Sequence, residues 1–176
     1  MIATAGTGGV EFCLNAAPAT PIAEHLYRHV THLLVNESEA AIMSDGKEVR
    51  EGTWSSIAQG FLRRGVKNVV ITLGAKGAFY ANAKESGHCS AFDIKVLDTT
   101  AYASDYLRQK ASGGAWDIRS SVIRENKAAV MTIQTVGAQD GIPWADEIDA
   151  FDAPRMVVLP HASSSTSAVT SQAGSG

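Results

Sequence analysis

Short apolar runs alternate with amphipathic stretches from residue 10 to residue 151. The run at 10–14 predicts a strand that ends in the turn Asn15-Ala16-Ala17-Pro18-Ala19. Pro21 at a first helical position, with Glu24 close behind, predicts a helix over 21–28. Leu33-Leu34-Val35 reads as a second buried strand. Residues 37–43 read as a helix that Ser44-Asp45-Gly46 breaks. Over 53–64, Ile57, Phe61 and Leu62 share one helical face, and Gly65 closes the helix. Asn68-Val69-Val70-Ile71-Thr72-Leu73 is a continuous β-branched run, the signature of a strand covered on both faces. Gly74-Ala75-Lys76-Gly77 then turns the chain into a hairpin partner over 78–81. Alternation over 91–96 predicts a half-exposed strand. Helices are expected over 102–111 and 118–133, separated by Ser112-Gly113-Gly114, and a last short one from Pro143 to Phe151.

Strands alternating with helices imply a mainly parallel, layered α/β sheet, whose ligands bind beyond the carboxyl ends of the strands. Those ends are Asn15, Asn36, Thr72–Gly77 and Asp98–Thr100. Residues 1–9 are expected to be a disordered start, 10–160 the folded part, and 161–176 a disordered Ser-rich tail.

Composition changes this picture little. A chain of 176 residues suits one domain, and the net charge of -3 gives no case for nucleic acid or an anionic membrane as partner. Cys13 and Cys89 are too few for a disulfide framework. With no signal peptide at Met1 and no run of membrane-spanning length, a cytoplasmic protein is expected.

Candidate chemistry gathers at the strand ends. Thr72-Leu73-Gly74-Ala75-Lys76-Gly77 offers backbone that can approach a phosphate and a lysine for countercharge; taken alone, it reads more readily as a hairpin turn with a solvated lysine. Asn36 and Glu39 share the first turn of a helix and could hold a hydrated Mg²⁺; the same spacing is close to a capping box. His25, His29 and His32 lack acidic or Cys partners nearby, so exposed helix histidines are expected rather than a zinc site. Cys13 is expected in the core. Asp98-Thr99-Thr100-Ala101-Tyr102-Ala103-Ser104-Asp105 runs from a strand into carboxylates and hydroxyls at a helix start, a place suited to ions and phosphates.

Taken in order, these segments resemble the ribokinases of the PfkB family of carbohydrate kinases. Leu14-Asn15-Ala16-Ala17-Pro18-Ala19 is similar to that family's L-N-P-A-P-A, and Asn36-Glu37-Ser38-Glu39-Ala40 to its N-E-T-E-A. Residues 70–78 resemble its nucleotide-binding strand and turn. Asp98-Thr99-Thr100 resembles the start of D-T-T-G-A-G-D. Asn126-Lys127-Ala128-Ala129 is like N-A-A-A, and Gly137-Ala138-Gln139-Asp140-Gly141-Ile142-Pro143 like G-A-Q-x-S-I-P. The resemblance covers residues 10–151 and corresponds to the C-terminal half of such a kinase.

It implies a layered α/β/α ribokinase-like sheet, truncated on the side of the family's N-terminal portion. It also implies transfer of the ATP γ-phosphoryl group to the primary hydroxyl of ribose, with Mg²⁺ and a monovalent cation such as K⁺. Thr72, Leu73, Gly74, Ala75, Lys76 and Gly77 would line the ATP site, with Asn126 at the adenine and Asn36 and Glu39 organising phosphates and Mg²⁺. Asp98 and Thr100 would begin the monovalent-cation loop, to which Thr132, Thr135, Gly137 and Gly141 contribute. Ala103 and Ser104 would fall where backbone N–H groups meet the phosphoryl group, and Asp105 would be the catalytic base, or Ser104 if no gap is placed.

Two departures accompany the resemblance. Ala101-Tyr102-Ala103-Ser104-Asp105 replaces G-A-G-D, losing both glycines and setting Tyr102 beside the expected pocket. The portion that carries the family's lid and most sugar contacts is missing, so a strand edge is expected to be exposed. Beside a pentose kinase stands an alternative reading: a catalytically dead remnant, a nucleotide-binding pseudokinase or an incomplete gene model.

Overall fold

The computed structural model describes residues 1–90, 99–134 and 143–151. Helix α1, Ile2–Thr7, lies where a disordered start was expected. Its Thr7 hydroxyl donates to the carbonyls of Ala3 and Thr4, and Ile2 packs against the core. Gly6 faces the His29 ring so closely that no side chain would fit between them. These contacts give the segment a reason to fold.

Strand β1, Cys13–Asn15, leads through a 3-10 turn, Glu24–His29, into β2, His32–Asn36. The helix expected over 21–28 is thus shorter and tighter. Tyr27 within it is buried, and the Arg64 guanidinium lies 3.6 Å from its ring centroid. Helices α2, Glu37–Met43, and α3, Trp54–Arg63, follow, and then β3, Asn68–Thr72. Gly65 ends the α3 segment at φ +102°. A 3-10 turn over Gly74–Lys76 leads to β4, Ala78–Asn82, and β5, Ser86–Cys89. Helices α4, Thr99–Ala111, α5, Ile118–Gln134, and α6, Ala145–Ala150, complete the described chain.

The five strands lie in sequence order, β1-β2-β3-β4-β5. β1, β2 and β3 are parallel, and β3, β4 and β5 form an antiparallel meander. Alternation along β2 and β3 splits the core between two faces. Leu33, Val35, Val69 and Ile71 pack with Met43, Ile57 and Phe61 from α2 and α3. Leu34 and Val70 pack with Tyr102, Ile118 and Val122 from α4 and α5. The result is the expected layered α/β arrangement, with more antiparallel pairing than the sequence pattern suggested.

Several side chains depart from expectation. His32 is a strand residue, 2% exposed, whose Nδ1 lies 3.1 Å from the Tyr102 hydroxyl. Tyr106 and Trp116 present their rings at 4.2 and 5.2 Å from its centroid. His32 therefore does not belong to an exposed helical histidine row. Tyr102 is fully buried in this cluster and adds no bulk to a pocket. Cys13 lies exposed on the edge strand rather than in the core.

No helix among the described residues is long and apolar enough to cross a membrane. The strand expected over 91–96 and the tail over 161–176 lie outside the described residues.

Candidate functional site

Parallel pairing aligns the expected strand ends. Asn36, the last residue of β2, is the register partner of Thr72, the last of β3. Asn15 ends β1 opposite Leu34, two residues short of that line. One edge of the sheet therefore carries Asn36 with the first turn of α2, Thr72, and the turn that follows.

At Asn36 the capping box is real. Its Oδ1 accepts from the Glu39 backbone N–H at 2.8 Å, and Glu39 Oε2 accepts from the Asn36 N–H at 2.7 Å. Capping uses one oxygen of each side chain. The Asn36 amide nitrogen and Glu39 Oε1 are the groups left to meet a ligand, and Asn36 is exposed. Cap and ligand-holding roles are thus compatible at this helix start.

The turn after β3 is closed by Leu73 N–H donating to Gly77 O at 2.8 Å, Lys76 N–H to Leu73 O at 3.1 Å, and Gly77 N–H to Gly74 O at 3.0 Å. Gly74 has φ +57° with open space where a Cβ would stand, and Gly77 has φ +91°. Both conformations suit glycine, and the opening at Gly74 lets backbone meet a ligand directly. Gly74, Ala75 and Lys76 are exposed, whereas Leu73 sends its side chain into the core and can offer only backbone.

Helices α4 and α5 connect this edge with the opposite one. Lys110, near the end of α4, donates to Glu11 just before β1, so α4 ends at the amino ends of the strands. Its start at Thr99 and Thr100 therefore points toward the carboxyl edge. α5 runs back antiparallel, as contacts from Asp105 to Ser121 and from Gln109 to Ser120 show. Asn126 sits midway along α5, 3% exposed, and neither side-chain polar atom has a hydrogen-bond partner among the described residues. A buried amide without partners is costly, and a ligand that engages it would remove the cost.

Asp105 is placed differently from the expected base. It is the seventh residue of α4, about 9 Å along the axis from Thr99 at a rise of 1.5 Å per residue, and it faces α5. One carboxylate oxygen accepts from Ser121 at 2.7 Å and Gln109 at 2.6 Å. The other accepts from Arg108 at 2.8 Å, with Arg124 Nε at 3.5 Å. Burial pushes its carboxyl up, but the hydrogen bonds from Ser121, Arg108 and Gln109 outweigh this and hold it below the usual carboxylate range. Arg124 reaches on to Asp149 of α6. Ser104 is exposed on α4 and Ala103 half-buried. The physical reason is helix propensity: alanines at 101 and 103, in place of glycines, let α4 extend back to Thr99 through the segment expected to be a loop.

Asp98, Thr135, Gly137 and Gly141 lie outside the described residues, and for Thr100 and Thr132 only the helical backbone is described. Among the described residues no group of three or more His, Cys, Asp or Glu converges as a metal site would require. The sequence reading missed His88, Trp54 and Arg124. Only Trp54, at a predicted helix start, had a local signal; the strand that carries His88 had none.

The family model for pfkB family carbohydrate kinases matches residues 1–145. The chain is 37% identical over 144 residues to a bifunctional ribokinase/ribose-5-phosphate isomerase A of Fructilactobacillus sanfranciscensis, covering 80% of this chain and 26% of that protein. Against the ribokinase of Staphylococcus aureus it is 31% identical over 144 residues, covering 80% of this chain and 47% of the relative. A ribokinase structure from Thermotoga maritima superposes with TM-score 0.61 at 31% identity, over 77% of this chain and 46% of that one. The Arabidopsis thaliana ribokinase complexed with ribose and ATP shares the fold, with TM-score 0.65 at 20% identity over 84% of this chain and 49% of its own. The chain spans about half the length of these ribokinases and about a quarter of the bifunctional protein.

Proposed function

Because the chain belongs to the pfkB family of carbohydrate kinases, we propose that it carries the nucleotide side of a ribokinase-type sugar kinase. The reaction is transfer of the ATP γ-phosphoryl group to the primary hydroxyl of a pentose. The observation that carries this reading is the shared register of Asn36 and Thr72, which sets the α2 start beside the glycine turn on one sheet edge.

In this reading the backbone of residues 72–77 meets the nucleotide, the opening at Gly74 admits it, and Lys76 supplies countercharge. Asn126, buried and unpartnered, takes up the adenine edge. The Asn36 amide and Glu39 Oε1 hold the hydration shell of Mg²⁺, which when bound neutralises phosphate charge. Backbone N–H groups at the start of α4 face the transferring group. A monovalent cation, K⁺ by family, would be met near Asp98 and Thr100, on their resemblance to the family's motif. The sugar would be held by the portion of the family's length that this chain does not span.

A second reading, nucleotide binding without turnover, is favoured by one observation: the Asp105 carboxylate is committed to four partners inside α4–α5. A base must reach the sugar hydroxyl, and Asp105 has no lone pair to spare for it. Measurement of ADP release with ribose, Mg²⁺ and K⁺, the chain being supplied with the sugar-holding portion of a family member, separates the readings. Ribose-dependent turnover supports the kinase, MgATP binding without it supports the second reading, and absence of MgATP binding refutes both.

A further inference from the structure

The turn over Gly74–Gly77 is held by its own backbone through three short-range hydrogen bonds. One side chain from elsewhere joins them: His88 Nε2 lies 2.6 Å from the Lys76 carbonyl oxygen. A carbonyl only accepts, so Nε2 carries the proton and donates. His88 is on β5, paired across the ladder with Phe79. Its ring lies nearly parallel to the Trp54 indole, with centroids 5.2 Å apart and planes at 24°. Trp54, the first residue of α3, is 8% exposed, so it cannot swing away from that stack. Lys76 Nζ stands 5.9 Å from the Trp54 ring centroid. β5 thus reaches the turn through His88, and α3 backs the His88 ring through Trp54.

We propose that His88 is a positioning residue for the nucleotide turn, with Trp54 fixing the angle of its ring. This rests on the nucleotide reading given above. By anchoring the Lys76 carbonyl, His88 fixes the peptide that joins Lys76 to Gly77, and with it the direction in which the turn presents its backbone and the lysine. His88 itself does not touch the nucleotide. It acts by reducing the freedom that the turn would otherwise lose on binding, which is how preorganisation raises affinity.

Two substitutions divide the contributions. His88→Phe keeps a ring on Trp54 and removes the donor; His88→Gln keeps a donor and removes the ring. Amide hydrogen exchange over residues 74–78 and calorimetric affinity for MgATP are measured for the wild-type chain and both variants. The expected result is about fivefold faster exchange and about fivefold weaker MgATP binding in His88→Phe, the loss of one neutral hydrogen bond, with His88→Gln within about twofold of wild type on the same ground. Wild-type exchange and affinity in His88→Phe overturn the proposal. So does equal impairment of both variants, which marks a general packing defect. Exchange that responds to His88→Phe while MgATP fails to bind even the wild-type chain upholds the brace and refutes the nucleotide reading.

Discussion

Asp105→Asn tests whether this carboxylate is built into the fold or held ready for chemistry. Asparagine keeps the shape but loses the charge and one acceptor. Its amide nitrogen would face the Ser121 hydroxyl or the Gln109 amide, both of which now donate to the carboxylate. Arg124, only 11% exposed, would keep Asp149 as its remaining charged partner. Arg108 is 54% exposed, so water replaces most of what it loses. Two buried hydrogen bonds and one half-compensated buried cation together come to about 3 kcal/mol. For a chain of this size that lowers the thermal midpoint by roughly 6–12 °C. Urea unfolding followed by tryptophan fluorescence reads it well, because Trp116 donates to the same Ser121 hydroxyl. A change smaller than about 0.5 kcal/mol, the level of an ordinary surface substitution, would refute the structural role and return Asp105 to the catalytic candidates.

Burial pushes the His32 imidazole down to about 4. Above the ordinary value near 6.5 it is neutral folded and unfolded; between 6.5 and 4 only the unfolded chain takes up the proton. Stability is therefore complete above pH 6.5 and falls by about 3 kcal/mol toward pH 4, a slope that His32→Phe should flatten in urea titrations at several pH values. Tyr102→Phe removes the partner of His32 Nδ1 and should cost about 1–2 kcal/mol by the same assay. Gly65→Ala would set a Cβ 2.7 Å from the Arg28 Cα at φ +102°, and should cost about 2 kcal/mol or more. Wild-type stability in that variant would contradict the described path of the chain there.

The sequence pattern made the fold legible where burial on both faces wrote it as apolar runs. β2 and β3 are of this kind; α3 was legible from its single apolar face, and Gly65 marks its end as expected. The edge at Asn36, Thr72 and Gly74–Gly77 was legible because strand ends and glycines are local signals. β5 was not, since Ser86-Gly87-His88-Cys89 has little strand propensity. It forms because Asn82 Oδ1 accepts from the N–H groups of Lys84 and Glu85 to make the turn, and because the Tyr80 ring needs Gly87 opposite it. His32 was misjudged because spacing with His25 and His29 suggested a helix, while its surroundings come from residues 70 and more positions away. Asp105 was read by alignment to a loop motif, yet alanines in that motif continue the helix and carry the carboxylate to α5. Tertiary partners of this kind leave no periodic trace.

The most direct test of a nucleotide site on this edge is a titration of the ¹⁵N-labelled chain with MgATP, followed through its amide resonances. The account predicts saturable shifts centred on residues 36–39, 72–77, the start of α4 and Asn126, with little change at Arg108, Arg124 and Asp149. Shifts centred instead on the cavity of about 250 Å³ that those three residues help to line, or no saturable shift at all, would contradict it.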